Sequence, residues 1–293
     1  MLLKDIQIRD PFVYAENGRY YLYGSTDHDI WKSEGRGFDA YTSEDLEHWT
    51  CLGNVFDRPQ GYWGQVNFWA PEMHAYRGKY YLFASFKAPG VCRGTAVLKA
   101  DSPEGPFRPW SERALTPPDW ECLDGTLYVE DSKPYLVFCH EWVQIGDGEI
   151  LYMPLTDDLS APAGEPKLMF KASQAKWSRA VNHSSGTRGY VTDGPNMYRT
   201  SDGTLLMLWS TLSPGGYAIG CARSDNGRLD GAWTVDEEPL FDKDGGHGMI
   251  FESFDGRRYL AIHMPNRTPD ERAAFMELEE AGGRLRLTGN VIR

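Results

Sequence analysis

A short pattern that recurs five times constrains the fold of this 293-residue chain more than any other feature of its sequence. Each copy has a small or acidic first residue, a strand-like run, a turn and a second, aromatic-rich strand, and four of the five turns contain Gly. These are the features of a β-hairpin. The copies begin near residues 10, 70, 124, 193 and 247, at intervals of 60, 54, 69 and 54 residues. Their first residues are Asp10, Ala70, Asp124, Asp193 and His247.

The length and content of the repeat predict the architecture. In four copies a second turn follows 31 to 33 residues after the start. Repeats of this size built only of strands and turns are typical of four-stranded propeller blades. We therefore predict an all-β chain that forms one five-bladed β-propeller over residues 1–293, with antiparallel blades around a central axis. A β-sandwich is the structural alternative, but it does not explain the recurrence.

Charge and composition exclude several classes of partner. The net charge is −12 with no cluster of Lys or Arg, which argues against nucleic acid and anionic membranes because both require concentrated positive charge. No apolar run is long enough to cross a bilayer, and the first residues show no secretory signal, which predicts a cytoplasmic protein. A small neutral molecule is the expected partner. The sequence carries no signal for an oligomeric state.

Acidic residues at the repeat starts indicate where the chemistry lies. The inner strands of a propeller begin at one end of its channel, so Asp10, Asp124, Asp193 and His247 should converge there. A single Asp before Gly or Pro more often caps a turn. Three carboxylates in one cavity, however, repel one another and lose hydration, as is typical of catalytic sites. Glycoside hydrolysis needs such a set, one carboxyl to protonate the leaving oxygen and another to activate water or attack the sugar.

Four motifs in chain order carry a resemblance to a known family: Arg9-Asp10-Pro11-Phe12, Trp69-Ala70-Pro71-Glu72, Leu123-Asp124-Gly125-Thr126 and Asp193-Gly194-Pro195. With them the chain resembles glycoside hydrolase family 43, five-bladed propellers that cleave with inversion. The likeness spans nearly the whole chain. It implies an inverting hydrolase of pentose- or galactose-containing oligosaccharides, of the arabinofuranosidase, xylosidase or galactofuranosidase type, that requires no cofactor.

The resemblance also implies roles for individual carboxyls. Asp10 would be the general base, and Asp124 the residue that orients the acid and tunes its pKa. The position of the general acid departs from the family pattern, because Asp193 stands where relatives carry Glu and is one methylene shorter. Glu141, at the end of the second strand of the third repeat, is the alternative proton donor, and Glu72 is a further candidate.

Residues near the predicted channel-facing strand ends are expected to bind substrate, although aromatic rings there also pack between blades. They are Trp69, Glu72, His140, Trp209 and His247. His247 matches an axial position at which relatives carry a histidine, sometimes beside calcium, so either a structural calcium or a water is expected near it. The long polar segment 173–192 is expected to cover the site as a lid.

Two other functions stay open at this point. A carbohydrate-binding propeller without catalysis would explain Asp193 in place of Glu. A retaining, fructan-cleaving propeller is suggested by Glu121-Cys122, which resembles the acid motif of families 32 and 68.

Overall fold

The computed structural model describes residues 1–184 and 186–293 and confirms the predicted all-β, five-bladed propeller. Each blade is a four-stranded antiparallel sheet in which neighbouring strands follow one another along the chain. Blade 1 comprises Arg9–Glu16, Arg19–Ser25, Gly37–Ser43 and Thr50–Asp57. Blade 2 comprises Val66–Tyr76, Lys79–Ala88, Val91–Ala100 and Arg108–Pro109. Blade 3 comprises Cys122–Glu130, Lys133–His140, Glu149–Pro154 and Lys167–Lys171. Blade 4 comprises Asp193–Arg199, Leu205–Ser213, Gly216–Ser224 and Trp233–Val235. Blade 5 comprises Gly246–Glu252, Arg258–Met264, Arg272–Ala281 and Arg284–Ile292.

Few elements lie outside the blades. They are a four-residue α-helix at Trp142–Ile145, 3₁₀ turns at Leu3–Asp5 and Ala172–Gln174, and a short hairpin of Val181–Asn182 with Arg188–Gly189. Among the residues described, none of the helices has the length and apolar character required to span a bilayer.

Local sequence explains the tight hairpins that join inner strands to their neighbours. In blade 1 the turn is Asn17-Gly18, with φ of 52° and 78°. Both angles lie in the left-handed region, which Asn and Gly tolerate better than other residues. This turn twists in the same sense as the strands it joins and fixes their register.

Apolar side chains fill the spaces between the faces of adjacent blades. Trp49, Phe56, Phe86 and Phe275 belong to one large buried cluster at blades 1, 2 and 5. Side chains of a strand point alternately to the two faces of its sheet, and in each blade these faces pack against the two neighbouring blades. Few residues are therefore left to point to the axis.

A repeated hydrogen bond joins the blades close to the axis. In each inner strand the first of the two bulged residues turns its N–H toward the preceding blade. Three of these N–H groups donate to serine hydroxyls on the second strand of that blade, at 2.8 to 2.9 Å: Ala70 to Ser25, Asp124 to Ser85, and His247 to Ser210. The ring is closed between blades 5 and 1, where Asp10 N–H donates to Nδ1 of His263 at 3.1 Å.

Blade 3 departs from this pattern. Its corresponding second-strand residue is Cys139, which pairs with Leu123 as Ser85 pairs with Trp69. The N–H of Gly194 in the next blade instead donates to Oδ2 of Asp124 at 2.9 Å. One carboxylate of the predicted site therefore also links blade 3 to blade 4.

We expect Ser85→Ala to lower the free energy of unfolding by about 1–3 kcal/mol, because it leaves the N–H of Asp124 buried without a partner. Urea denaturation of the wild type and the variant measures the difference. As a control, Ser201→Ala removes a hydroxyl at an exposed turn, where water can replace the bond that it makes with Glu280. It should change the value by less than about 0.5 kcal/mol. Equal effects of the two substitutions would contradict a structural role for the interblade bond.

Candidate active site

The bulges bring one residue of each inner strand to the same level on the axis. These residues share a positive φ: 52° for Asp10, 47° for Ala70, 55° for Asp124, 52° for Gly194 and 50° for His247. Asp193 therefore lies one residue before the position at which the sequence repeat aligned it. Its strand partner is Ser210, as Ser25 is the partner of Arg9. Asp193 thus approaches the cavity from a different backbone position than the other two aspartates.

Asp10 is buried among polar partners. The hydroxyl of Ser25 donates to its Oδ2 at 2.6 Å, and Nδ1 of His247 lies 3.3 Å from its Oδ1. Burial disfavours the charged form, but the nearby His247 and Arg9 outweigh it and hold the pKa of Asp10 below its usual value. Asp10 is therefore a carboxylate near neutral pH, as a proton acceptor must be.

The neighbouring His263 is arranged to accept a hydrogen bond. Because Asp10 N–H donates to its Nδ1, the ring proton belongs on Nε2, which lies 3.3 Å from the amide oxygen Oδ1 of Asn266. Burial, followed by the charge of Arg9, lowers the pKa of His263 to about 3. This neutral ring holds the backbone of Asp10 in place without adding a charge to the site.

Asp124 is also buried, but its surroundings favour the protonated form. Burial and the nearby charge of Asp10 raise the pKa of Asp124 well above its usual value, although the N–H of Gly194 partly opposes this. Nδ1 of His247 lies 3.6 Å from its Oδ2. The imidazole of His247 therefore sits between the carboxyls of Asp10 and Asp124.

Asp193 is the most accessible of the three aspartates. The hydroxyl of Tyr217 donates to its Oδ2 at 2.9 Å. Burial and then repulsion from Asp124 raise the pKa of Asp193 to about 7. Because Asp124 and Asp193 interact, they titrate as a pair, and this pair keeps a proton near neutral pH while Asp10 does not.

The axial histidine does not complete a metal site made of side chains. Nε2 of His247 is buried without a hydrogen-bond partner among the described residues. Calcium prefers six to eight oxygen ligands, and the described parts of the chain contain no group of three or more His, Cys, Asp or Glu able to hold a metal. Direct coordination of calcium by these side chains does not fit, and a calcium held in another way stays a prediction of the sequence.

Glu141 lies beside the aspartates but has a different partner. Nη1 of Arg93 donates to its Oε1, and Nη2 of Arg93 donates to Asn67 at 3.2 Å. The guanidinium also stacks 4.1 Å from the ring centroid of Trp69. Glu141, Arg93, Asn67 and Trp69 form one continuous wall, in which Glu141 is the acceptor of a charge-assisted hydrogen bond.

These groups line a cavity of about 460 Å³ at one end of the axis. All five blades contribute to its wall. Of the predicted site residues, the lining includes Asp10, Asp124, Asp193, Glu141, Trp69 and His247. From the segment 173–192 it includes Val181, His183 and Val191, while Ser185 of that segment lies outside the described residues. That the segment covers the site as a lid stays a prediction.

The structure corrects the expectation that Trp209 binds substrate. Trp209 is 0% exposed and packs against Phe170 and Trp177, with ring centroids 5.3 and 5.4 Å away. Side chains alternate along a strand, and the adjacent Ser210 takes the orientation that bonds to blade 5. Trp209 consequently points to the opposite side, into the core between blades.

His140 and Glu72 also lie outside the cavity lining. His140 stacks on Trp120 with ring centroids 4.3 Å apart and contacts Gln144 at 2.8 Å. Glu72 is buried two residues beyond Ala70, with its Oε2 3.5 Å from His74. Neither position fits the predicted contact with substrate, because both residues are buried and do not line the cavity.

Sequence reasoning missed three residues that shape the cavity: Trp31, Arg93 and Tyr217. Trp31 lies in the long connection between the second and third strands of blade 1, while Arg93 and Tyr217 follow hairpin turns at the cavity end of third strands. The sequence repeat covers only the first two strands of each blade, so it gives no signal for these residues. Only their position next to turns at the cavity end could have indicated them. Glu121, the basis of the fructan alternative, accepts from Lys87 and from the N–H of Arg93 and does not line the cavity.

Comparisons with known proteins agree with this geometry. The model of the family described as "Glycosyl hydrolases family 43" matches residues 4–279. Over 89% of its length the chain is 23% identical to the extracellular exo-α-(1→5)-L-arabinofuranosidase ArbA of Cellvibrio japonicus, of which it covers 79%.

Two solved structures are similar along their whole length. The endo-arabinase of Bacteroides thetaiotaomicron is 39% identical, with a TM-score of 0.90 over 97% of this chain and 98% of that one. An endo-1,4-β-xylanase of the same organism is 26% identical, with a TM-score of 0.81 over 98% of this chain and 96% of that one.

We expect the Asp193 carboxyl to titrate near pH 7, because burial and Asp124 raise its pKa. Carbon-13 NMR of protein labelled at the aspartate carboxyls measures this titration, and its loss in Asp193→Asn assigns it. The exposed Asp157 provides a control, since Asp157→Asn should leave the titration near pH 7 unchanged. If every aspartate signal titrated below about pH 5, the described electrostatics of the site would be wrong.

Proposed function

The chain belongs to glycosyl hydrolases family 43 and is a glycosidase, and on this premise we propose that it hydrolyses α-L-arabinofuranosyl bonds of arabinan-derived oligosaccharides with inversion of configuration. One observation carries the proposal: Asp10 and Asp193 line the same cavity in different surroundings, Asp10 beside His247 and Ser25 and Asp193 beside the phenol of Tyr217, and these surroundings shift their pKa values in opposite directions. Such a separation supplies a base and an acid at the same pH. The arabinan-related names of two similar proteins support the choice of sugar.

In the proposed reaction Asp10 and Asp193 act on opposite sides of the sugar. Asp10 accepts a proton from a water molecule as the water oxygen attacks the anomeric carbon. The bond from this carbon to the glycosidic oxygen breaks, and Asp193 gives its proton to the leaving oxygen. Asp10 ends protonated and Asp193 ionised, and exchange of protons with solvent restores the starting state.

Asp124 is proposed to support the acid rather than to react. The two carboxyls do not readily ionise together, because a charge on Asp124 would repel one on Asp193, and this contributes to the raised pKa of Asp193. The bond from Gly194 N–H to Asp124 fixes the backbone next to that acid. Removing Asp124 would therefore disturb both the charge and the position of the proton donor.

Asp193 is favoured over Glu141 as the donor because of their partners. Glu141 accepts a hydrogen bond from Arg93 in an ion pair, which occupies its carboxylate. Asp193 instead accepts from a neutral phenol, that of Tyr217, and has a pKa of about 7. We therefore assign Glu141 to the binding wall.

We further propose exo-action, in which the cavity takes the end of a chain. Side-chain contacts join neighbouring elements around the cavity in three places: Trp31 with Thr268 and Trp142 with His183 at the rim, and Arg93 with Glu141 in the wall. The first joins Nε1 of the indole to the threonine hydroxyl at 3.1 Å and connects blades 1 and 5. A rim closed in this way favours a pocket for a terminal sugar over an open groove for an internal one.

Asp10→Asn should reduce activity on 4-nitrophenyl α-L-arabinofuranoside by at least about 10³-fold, because no base then activates the water. Asp193→Asn should affect this substrate far less than arabinobiose, since nitrophenolate leaves with little protonation. Glu141→Gln should mainly raise KM. Steady-state kinetics of the three variants on both substrates measure these effects.

A panel of the corresponding xyloside, galactoside and galactofuranoside tests the choice of sugar. Preference for one of these would overturn the arabinose assignment. Binding of arabino-oligosaccharides without turnover of any of them would indicate a carbohydrate-binding propeller instead.

Exo-action predicts that linear arabinan releases arabinose from the first minutes, without a ladder of intermediate oligosaccharides. Chromatography of early time points measures the products. Trp31→Ala should open the rim between blades 1 and 5 and allow longer products to appear. A ladder of oligosaccharides produced by the wild type would contradict the closed pocket.

A further inference from the structure

Tyr217 contacts the proposed proton donor but has no part in the reaction described so far. It lies in the third strand of blade 4, one residue after Gly216, and lines the cavity. Its side chain is nearly buried, and its hydroxyl is 2.9 Å from Oδ2 of Asp193. Among the described residues no other hydrogen bond to the Asp193 carboxyl is found.

The ring of Tyr217 is held in place from several directions. It stacks on His263 with centroids 5.6 Å apart and planes 27° from parallel. On another side is Gly246, where a Cβ atom would lie 2.4 Å from the ring. The carbonyl of Tyr217 accepts from the N–H of Gly245 at 3.0 Å. The phenol therefore reaches Asp193 from one fixed direction.

The bond between the two side chains has a defined polarity. Burial, followed by the charge of Asp193, raises the pKa of the Tyr217 phenol well above its usual value. The phenol consequently keeps its proton and donates a hydrogen bond to Oδ2. A protonated Asp193 must then carry its own proton on Oδ1, the oxygen that has no partner among the described residues.

Resting on the proposed function, we propose that Tyr217 is a positioning residue that fixes the carboxyl of Asp193 with Oδ1 and its proton toward the glycosidic oxygen. Asp is one methylene shorter than the Glu that the family resemblance leads one to expect at this position. A shorter donor tolerates less rotation away from the leaving oxygen, because proton transfer needs hydrogen-bond distance. The fixed phenol removes that rotation.

Tyr217→Phe tests the inference with two substrates. We expect kcat for arabinobiose to fall at least about tenfold with KM within about twofold. The fall for 4-nitrophenyl arabinofuranoside should be much smaller. The basic limb of the pH profile should move to higher pH, because a hydrogen bond that favours the ionised form of Asp193 is lost.

A matched control is Tyr23→Phe, which removes a buried hydroxyl that donates to the carbonyl of Pro103 in blade 2. It should leave both the leaving-group dependence and the pH profile unchanged. Equal losses on both substrates with an unmoved basic limb in Tyr217→Phe would show a merely structural role and overturn the inference.

A second variant guards against failure of the first to fold. Site-specific 3-fluorotyrosine at position 217 keeps the shape of the ring but makes the phenol a stronger donor. The carboxyl titration of Asp193 in NMR should then move to lower pH, and no such movement would overturn the inference. This NMR readout needs no turnover, so it tests the contact between Tyr217 and Asp193 independently of the proposed function. Failure of the proposed function would instead appear as a wild-type protein without activity.

Discussion

The hydrogen bond from each inner-strand bulge to the preceding blade is the interaction on which the site depends. Asp10, Asp124 and His247 hold left-handed backbone angles, which cost roughly 1–2 kcal/mol each for residues with a Cβ. Such conformations persist only where the surroundings enforce them. Here serine hydroxyls and one imidazole bond the N–H groups of these residues, so that the same contacts that order the blades also aim the carboxyls at the cavity.

As a consequence, three aspartates of the same chemical type differ in how readily they ionise. All three aspartates are largely removed from water, which by itself opposes ionisation. Asp10 overcomes this penalty because His247 and Arg9 are close to it, whereas at Asp124 and Asp193 burial and a neighbouring carboxyl outweigh the groups that favour ionisation, which for Asp193 include His247. The balance between burial and the charges of neighbouring groups, and not residue type, therefore distinguishes the proposed base from the proposed acid.

The repeat in the sequence was sufficient to predict the five blades, since hairpin chemistry and its spacing are local properties. It also brought Asp10, Asp124 and His247 together correctly. The offset of Asp193 by one residue was missed because the repeats were aligned on their acidic residues; alignment of Pro195 with Pro11 and Pro71 places Gly194 at the axial position. Trp209 was misplaced because the face to which a strand residue points depends on register. Arg93 and Tyr217 were missed because third strands carry no recurring motif.

In the proposed reaction, water activated by Asp10 displaces the leaving sugar in one step. Proton NMR of arabinobiose hydrolysis, recorded before mutarotation, reports the anomeric configuration of the arabinose that is released first. We expect the α-linked substrate to give β-arabinofuranose. Initial release of the α-anomer would mean retention through a covalent intermediate, and would contradict the roles given to Asp10 and Asp193.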